Sequence, residues 1–334
     1  MKIIHISDIH HDIKTLESFM KLDELNSCDC IVMTGDVAGP ISKDESYQFD
    51  IESREFERVS QAWQNDFRKW DRATLTKNKI STFEDYVDFF KERFPDNSEV
   101  ITYTTSLGKI KSAAIKQYKE VRNVLDRFTG RKIAVHGNWD STEFFEIFGD
   151  MNIHRKNVTI DSLKFWGYGG SPYSYNPFRL AVPAFNENVM HDELLKEMPD
   201  MVLTHAPPRK MTDTGNTSKS LLGSGMLRSY IYESYIEGKA PLVIFSGHSH
   251  SPGIERDKKT NVIVSNPGNL GVSEREHYGT FNLIEIKGRE IIHAKTYALS
   301  KNGAVLLEGD VIPAYEKREH SMYRTGIKRL FGSD

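Results

Sequence analysis

Short runs of apolar residues recur along the chain, and each run ends abruptly in a polar side chain. Runs that are apolar at nearly every position are typical of parallel strands covered on both faces. Five such strands, each with its polar end, are predicted at Lys2–His10, Cys30–Asp36, Lys132–Asn138, Met201–His205 and Leu242–His250. Between the first two, Thr15–Leu25 repeats apolar residues at helical spacing, which predicts a strand–helix–strand unit.

Alternating apolar and polar residues predict a second sheet. Asn157–Tyr168 has the pattern of two short strands joined at Asp161-Ser162. Residues Asn261–Ser265 and Gly279–Tyr297 are predicted strands of this second sheet, and the latter is expected to be a hairpin turned at Lys287-Gly288. Two sheets packed face to face with helices outside give an α/β fold, a four-layer α-β-β-α sandwich of two mixed sheets.

Two serines are expected to cap further helices, because serine is a favoured residue at that position. Ser141 precedes a helix predicted to continue to Phe148, and Ser224 precedes one that continues to about Tyr235.

The chain between Asp36 and Asn138 is predicted to be a helical insertion in the core fold. Its apolar residues recur near 3.6-residue spacing in three segments, Glu45–Trp70, Phe83–Phe94 and about Leu107–Phe128. The apolar stripes favour packing into a core, and a helical cap over the strand ends or a surface for homo-oligomers are the alternatives. The predicted parts are a core of residues 1–40 and 129–300, an insertion of residues 41–128 whose last helix belongs partly to the core, and a C-terminal tail of residues 301–334.

Composition indicates an ordinary globular protein. Of 334 residues, 38% are hydrophobic and 27% charged, with a net charge of −3, which does not favour bulk attraction to nucleic acid or to a membrane. No run approaches the 18 apolar residues of a membrane span, and the amino terminus lacks a signal-peptide pattern, so a cytoplasmic location is expected. Cys28 and Cys30 make no disulfide framework, and packing is favoured over metal binding for this pair.

The polar ends of the five strands carry the candidate chemistry. Parallel strands bring their carboxyl ends to one edge of a sheet, where ligands bind. The side chains expected to converge there are Asp8, His10, Asp36, Asn138, His205, His248 and His250. Oxygen and imidazole donors without thiolate suit Mn²⁺, Fe²⁺, Ni²⁺ or Zn²⁺. Seven ligands are too many for one such ion, whereas two ions about 3.5–4 Å apart that share a carboxylate would use them all.

The order of the motifs D-x-H, G-D, G-N-x-D, T-H and G-H-x-H resembles that of the calcineurin-like metallophosphoesterase superfamily, over residues 1–40 and 130–290. The resemblance implies the four-layer fold and a dinuclear site with Asp36 as the bridging ligand. It assigns the first ion to Asp8, His10, Asp36 and His250, and the second ion to Asp36, Asn138, His205 and His248.

One motif departs from the family pattern, because Trp139 stands where the family has the histidine of G-N-H-D. Trp139 is interpreted either as an apolar wall of the cleft or as a substrate-stacking residue. Asp140, which orients that histidine in the family, is expected to lack its usual partner. His11 follows His10 directly and is a candidate to face the cleft and supply a proton. Further substrate candidates in a loop rich in glycine and proline are Tyr173, Tyr175 and Arg179.

The function expected from the resemblance is a phosphodiesterase or phosphatase that acts on a small phosphoester with a metal-bridging hydroxide as the nucleophile. The expected cofactors are two divalent ions, with Mn²⁺ preferred over Fe²⁺, Ni²⁺ and Zn²⁺. The candidate catalytic residues are Asp36, Asn138, His248 and His11. A scaffold protein on the same fold is one alternative, and the intact set of seven ligands argues against it. A nuclease of the superfamily is another, disfavoured by the acidic net charge and the lack of a basic, aromatic strip.

Overall fold

A computed structural model describes residues 1–39, 92, 95–96, 98–172, 185–213, 222–271, 278–300 and 303–308, with side chains of the long central helix described from Ser112 onward. The predicted helix Glu45–Trp70 lies outside these residues, as does Phe83–Phe94 apart from Glu92. The substrate candidates Tyr173, Tyr175 and Arg179 also lie outside them.

The described residues form twelve strands and five α-helices. The strands are β1 (Lys2–Ile6), β2 (Cys30–Met33), β3 (Arg131–Ala134), β4 (Asn157–Ile160), β5 (Leu163–Tyr168), β6 (Met201–Thr204), β7 (Val243–Phe245), β8 (Gly253–Arg256), β9 (Ile263–Asn266), β10 (Thr280–Lys287), β11 (Glu290–Ser300) and β12 (Gly303–Glu308). The helices are α1 (Ile13–Phe19), α2 (Ser98–Leu125), α3 (Phe144–Ile147), α4 (Glu187–Glu197) and α5 (Gly225–Ile236).

The strands form two mixed sheets of six strands each. The first sheet has the order β12-β11-β10-β1-β2-β3, and the second has the order β4-β5-β6-β7-β9-β8. Three neighbours in the first sheet, β1, β2 and β3, are parallel, and so are β5, β6, β7 and β9 in the second. Each sheet brings the carboxyl ends of its parallel strands to one edge. The loops at these two edges contact each other and border one cleft.

The apolar side chains of the strands form three core layers, one between the two sheets and one between each sheet and its helices. On β1, Ile4 and Ile6 pack with the helices that cover the first sheet, whereas Ile3 faces the second sheet. On β6, Leu203 packs between the sheets and Val202 packs with α4 and α5. Because successive strand residues point to opposite faces, each apolar run fills two layers at once. The predicted four-layer sandwich is confirmed.

The hairpin predicted at Gly279–Tyr297 forms, but its assignment to the second sheet was wrong. It comprises β10 and β11, and β10 pairs antiparallel with β1 in the first sheet, with Lys2 opposite Glu285. The strand is apolar on both faces, since Leu283 packs toward the helices and Ile284 toward the second sheet. A strand that is apolar on both faces is stable in the interior of a sheet. β10 takes such a position because it pairs with the edge of β1 that β2 leaves unpaired.

Two predicted helices differ from those observed. Helix α1 begins at Ile13 rather than Thr15, because the Asp12 carboxylate caps it by accepting hydrogen bonds from the Thr15 N–H and hydroxyl, at 3.0 and 2.6 Å. Ser141 is not an N-cap: α3 begins at Phe144, and the Ser141 N–H donates to the Tyr118 hydroxyl at 2.7 Å. The Ser224 cap is confirmed by the hydrogen bond from Leu227 N–H to its hydroxyl.

Helix α2 packs its carboxyl-terminal half against the first sheet. The side chains buried there include Tyr118, Val121, Val124 and Leu125. Among the described residues, no helix is both long enough and apolar enough to cross a membrane.

Candidate metal centre

The loops that follow β1, β2, β6 and β7 are hydrogen-bonded to one another beyond the strand ends. The Asp8 N–H donates to the Gly35 carbonyl and the His10 N–H to the Asp36 carbonyl, both at 2.9 Å. The His248 N–H crosses from the second sheet to Asp8 Oδ2 at 3.1 Å. The loops of both sheets therefore form one hydrogen-bonded rim.

Several residues on this rim adopt left-handed backbone conformations. The φ angles are 50° at Asp8, 47° at His10, 51° at Asp36 and 66° at His248. Non-glycine residues in this region cost about 1–3 kcal/mol each, and such strain concentrates at functional sites. The surrounding hydrogen bonds hold these residues in place, so their side chains are aimed before any ligand binds.

A first group of side chains consists of Asp8, His10 and His250, whose ligand atoms lie within 4.8 Å of one another. Asp8 Oδ1 is 3.8 Å from His10 Nε2 and 3.4 Å from His250 Nε2. Both imidazoles thus lie near one carboxylate oxygen, at distances longer than the usual range of about 2.7–3.2 Å for a hydrogen bond.

A second group consists of Asp36, His205 and His248, again within 4.8 Å. His205 Nε2 lies 3.3 Å from Asp36 Oδ2 and 2.8 Å from Asn138 Oδ1, so the asparagine belongs to the same group. The Trp139 N–H donates to Asp36 Oδ1 at 2.7 Å, which leaves Oδ2 directed into the site. The structure brings all seven predicted side chains to one cleft, in two groups.

Backbone carbonyls fix the orientation of two imidazoles. His205 Nδ1 lies 2.6 Å from the Thr34 carbonyl, and His10 Nδ1 lies 3.4 Å from the Ala38 carbonyl. A carbonyl only accepts, so each Nδ1 carries a hydrogen and each Nε2 is the nitrogen left to bind a metal ion. At His205 the ion would displace the Nε2 proton that Asp36 and Asn138 stabilise.

Burial and charge oppose each other within the site. Burial alone would lower the pKa of His205, but the contact with Asp36 more than offsets this effect, and the pKa is raised to about 9. Burial lowers the pKa of His248 to about 4. Burial would raise the pKa of Asp8, but His250, His205 and His10 hold it below its usual range. The carboxylates are therefore ionised and offer negative charge to a cation at neutral pH.

The donor set fits divalent cations. Asp8 Oδ1 is fully buried and has no hydrogen-bond partner among the described residues, which is costly for a carboxylate unless a cation takes that position. A Cβ added at Gly137 would lie 2.1 Å from Asp36 Oδ1, and one at Gly247 would lie 2.8 Å from Asp8 Oδ2. The two glycines let the backbone approach both carboxylates closely.

Asp140, which was expected to lack its usual histidine partner, is hydrogen-bonded to other groups instead. Its Oδ1 accepts from the N–H groups of Val37 and Ala38 at 3.0 and 3.1 Å and from the Tyr118 hydroxyl at 3.2 Å. Its Oδ2 accepts from the Gly137 N–H at 2.7 Å. Burial raises the pKa of Asp140 to about 6, with Asp36 adding to the effect. The carboxylate ties the loops after β2 and β3 to α2 instead of orienting a histidine.

Two of the remaining candidates lie at the edge of the cleft. The Trp139 ring is partly exposed and meets the His10 ring edge-on, with centroids 6.4 Å apart. His11 Nε2 is paired with Glu120 on α2 at 2.5 Å. Position 139 is therefore beside a predicted ligand, whereas the imidazole of His11 is engaged by the helix.

Sequence reasoning missed several residues that support the site. Tyr118, Gln117 and Glu120 on α2 contact the loops that carry the predicted ligands. Ser171, after β5, contacts His248. None belongs to a motif, and only the three-dimensional structure brings them to the cleft.

No protein-family model and no curated protein matches this chain. Solved structures do match it. One crystal structure has 15% identity and a TM-score of 0.55, covering 90% of this chain and 99% of the other. The chain is also similar to a novel archaeal phosphodiesterase, at 14% identity with coverages of 90% and 100% and a TM-score of 0.39. It is similar as well to Vps29 from Entamoeba histolytica, complexed with Zn²⁺, at 12% identity with coverages of 93% and 99% and a TM-score of 0.38. The first of these likenesses supports the fold.

Proposed function

We propose that this protein is a metal-dependent phosphoester hydrolase of the calcineurin-like metallophosphoesterase type, acting on a small phosphoester. The observation that carries the proposal is the convergence of Asp8, His10 and His250 with Asp36, His205 and His248 at one cleft. Donors of this kind in two adjacent groups fit two divalent ions, and Mn²⁺ is the first candidate.

The residues of each group have separate tasks. Asp8, His10 and His250 would hold one ion, and Asn138, His205 and His248 would hold the other. Asp36 would serve both, because Trp139 N–H fixes its Oδ1 and leaves Oδ2 directed into the site. Two divalent ions supply activation of water and neutralisation of phosphate charge.

The rest of the mechanism depends on how the chain keeps these groups in place. The Thr34 carbonyl fixes the His205 ring, and the Asp140 carboxylate fixes the backbone of the loops after β2 and β3. Such preorganisation aligns a bound phosphoester for in-line attack without reorganisation during the reaction.

A scaffold function is the second candidate, and the complete donor set argues against it. A scaffold does not require ionised, buried carboxylates beside imidazoles, since they cost stability without a bound cation.

The test is substitution of Asp36 and His248 by alanine. Both variants are expected to lose hydrolysis of nitrophenyl phosphoesters by at least about 10³-fold and to lose bound metal, while circular dichroism stays native because the residues lie at strand ends. The matched controls are Asp200→Ala and His191→Ala, at a carboxylate bonded to Arg289 and an imidazole beside Glu233, both outside the cleft. Full activity in metal-depleted protein would refute the proposal.

A further inference from the structure

Ser171 contacts a predicted metal ligand through its side chain. Its hydroxyl Oγ lies 3.0 Å from His248 Nε2, and the residue is 6% exposed. Two other predicted ligands, His205 and His10, each have a ring nitrogen held by a backbone carbonyl. Among these three contacts, only that of Ser171 is made by a side chain that substitution can remove.

The turn before Ser171 is built independently of the metal centre. Gly170, with φ of 90°, donates its N–H to the His136 carbonyl at 2.9 Å, and the Gly169 N–H donates to His154 Nδ1 at 3.0 Å. A Cβ added at Gly169 would lie 2.4 Å from His136 Nδ1, so only glycine permits this close approach. The hydroxyl of Ser171 is thus placed by β5 and its turn rather than by the cleft.

The hydrogen bond between Ser171 and His248 has two possible directions with different consequences. If the hydroxyl donates to Nε2, the ring hydrogen sits on Nδ1 and both ring nitrogens are engaged. If Nε2–H donates to the hydroxyl, Nδ1 keeps a free lone pair. A metal ion binds only a nitrogen with a free lone pair, so the second direction alone is compatible with His248 as a ligand.

We propose that Ser171 is a positioning residue that holds His248 in the Nε2–H tautomer and so presents its Nδ1 to the metal centre. His205 and His10 are held the opposite way, because a backbone carbonyl binds Nδ1 and Nε2 is directed into the site. The proposal rests on the proposed function, because it requires that His248 serve as a ligand.

A direct test is the binding of Mn²⁺ by equilibrium dialysis. The wild-type protein is expected to bind two ions, and Ser171→Ala is expected to weaken one of them by about 10- to 100-fold, the range for residues that orient metal ligands. Ser171→Thr retains a hydroxyl and is expected to restore most of the affinity. The matched control is Ser234→Ala, which removes another buried hydroxyl, one that donates to the Tyr230 carbonyl on α5.

A second readout is the tautomer of His248 in the metal-free protein, from long-range ¹H–¹⁵N spectra with the resonance assigned by its loss in His248→Asn. The proposal expects Nε2–H in the wild type and a mixture of tautomers in Ser171→Ala. An Nδ1–H tautomer in the wild type, or unchanged Mn²⁺ affinity in Ser171→Ala, would overturn it. Two bound ions without hydrolysis would instead refute the proposed function and leave the role of Ser171 standing.

Discussion

In the superfamily that the motifs of this chain resemble, the histidine of G-N-H-D would donate a proton to the leaving oxygen, and Trp139 stands at that position. The ring lies beside His10, and its backbone N–H holds Asp36. An indole N–H donates a hydrogen bond but does not exchange its proton near neutral pH. Asp140 is hydrogen-bonded to backbone N–H groups and to Tyr118 rather than to the side chain at position 139.

We therefore expect an enzyme that handles good leaving groups, such as nitrophenyl, much better than alkyl ones. Trp139→His should raise the rates of poor leaving groups more than those of good ones, within the 10²–10⁴-fold range of general acid catalysis. Rates measured across a series of leaving-group pKa values give the slope for each protein. Trp139→Phe is the control, because it changes the ring without adding a proton donor. Identical slopes for all three proteins would mean that Trp139 is only a wall of the cleft.

Helix α2 supports the site more directly than its sequence indicates. Gln117 makes two hydrogen bonds with the backbone of Gly39, at 3.1 and 3.2 Å, one turn from the contact of Glu120 with His11. Tyr118 bonds Asp140 and Ser141 from the buried side of the same turn. One turn of helix thus holds the loops after β1, β2 and β3.

Tyr118→Phe is expected to destabilise the protein by about 1–3 kcal/mol, because it leaves the Ser141 N–H buried without its partner and removes one donor from Asp140. Urea denaturation measures the change. The control is Tyr230→Phe, which removes a buried hydroxyl without a hydrogen-bond partner among the described residues, so the loss should be smaller. Equal losses in both variants would contradict the role given to Tyr118.

The sequence predicted the features that are encoded by neighbouring residues and missed those that depend on contacts between distant parts of the chain. The strand ends were predictable because Asp8 and His10, or His248 and His250, lie next to their apolar runs. The Tyr118 contact was not, since a tyrosine in an apolar helical stripe has the pattern of any core residue. The sheet of the hairpin was not predictable either, because alternation identifies a strand but not the neighbour it pairs with. Metal binding by the seven residues stays a prediction.

At the scale of the whole molecule, the predicted insertion is joined to the core beside the cleft. The chain leaves the core after Gly39, next to His10, and returns through α2, whose Gln117 is bonded to that same glycine. The predicted insertion is thus anchored beside the predicted metal centre, although residues 40–91, 93–94 and 97 lie outside the part that the structure describes.

Replacing residues 45–105 by a short linker is expected to preserve metal binding and to change substrate preference, because the supporting contacts come from the second half of α2. Loop-closure free energy changes slowly with loop length, so the core should tolerate the replacement. Metal content and kinetics on a panel of mono-, di- and cyclic phosphoesters provide the measurement. If every substrate keeps its wild-type kinetics, the insertion serves another purpose, such as homo-oligomer formation.

The pairing of β1 with β10 also constrains how the protein is made. Lys2 lies opposite Glu285, so β1 leaves the ribosome long before the strand that completes its pairing. Until then β1 has β2 as a neighbour on one side and exposes an unpaired edge on the other, and such edges promote aggregation. The nascent chain is therefore expected to depend on chaperones until residues 280–287 emerge, and fragments that end before Thr280 should be insoluble when expressed alone.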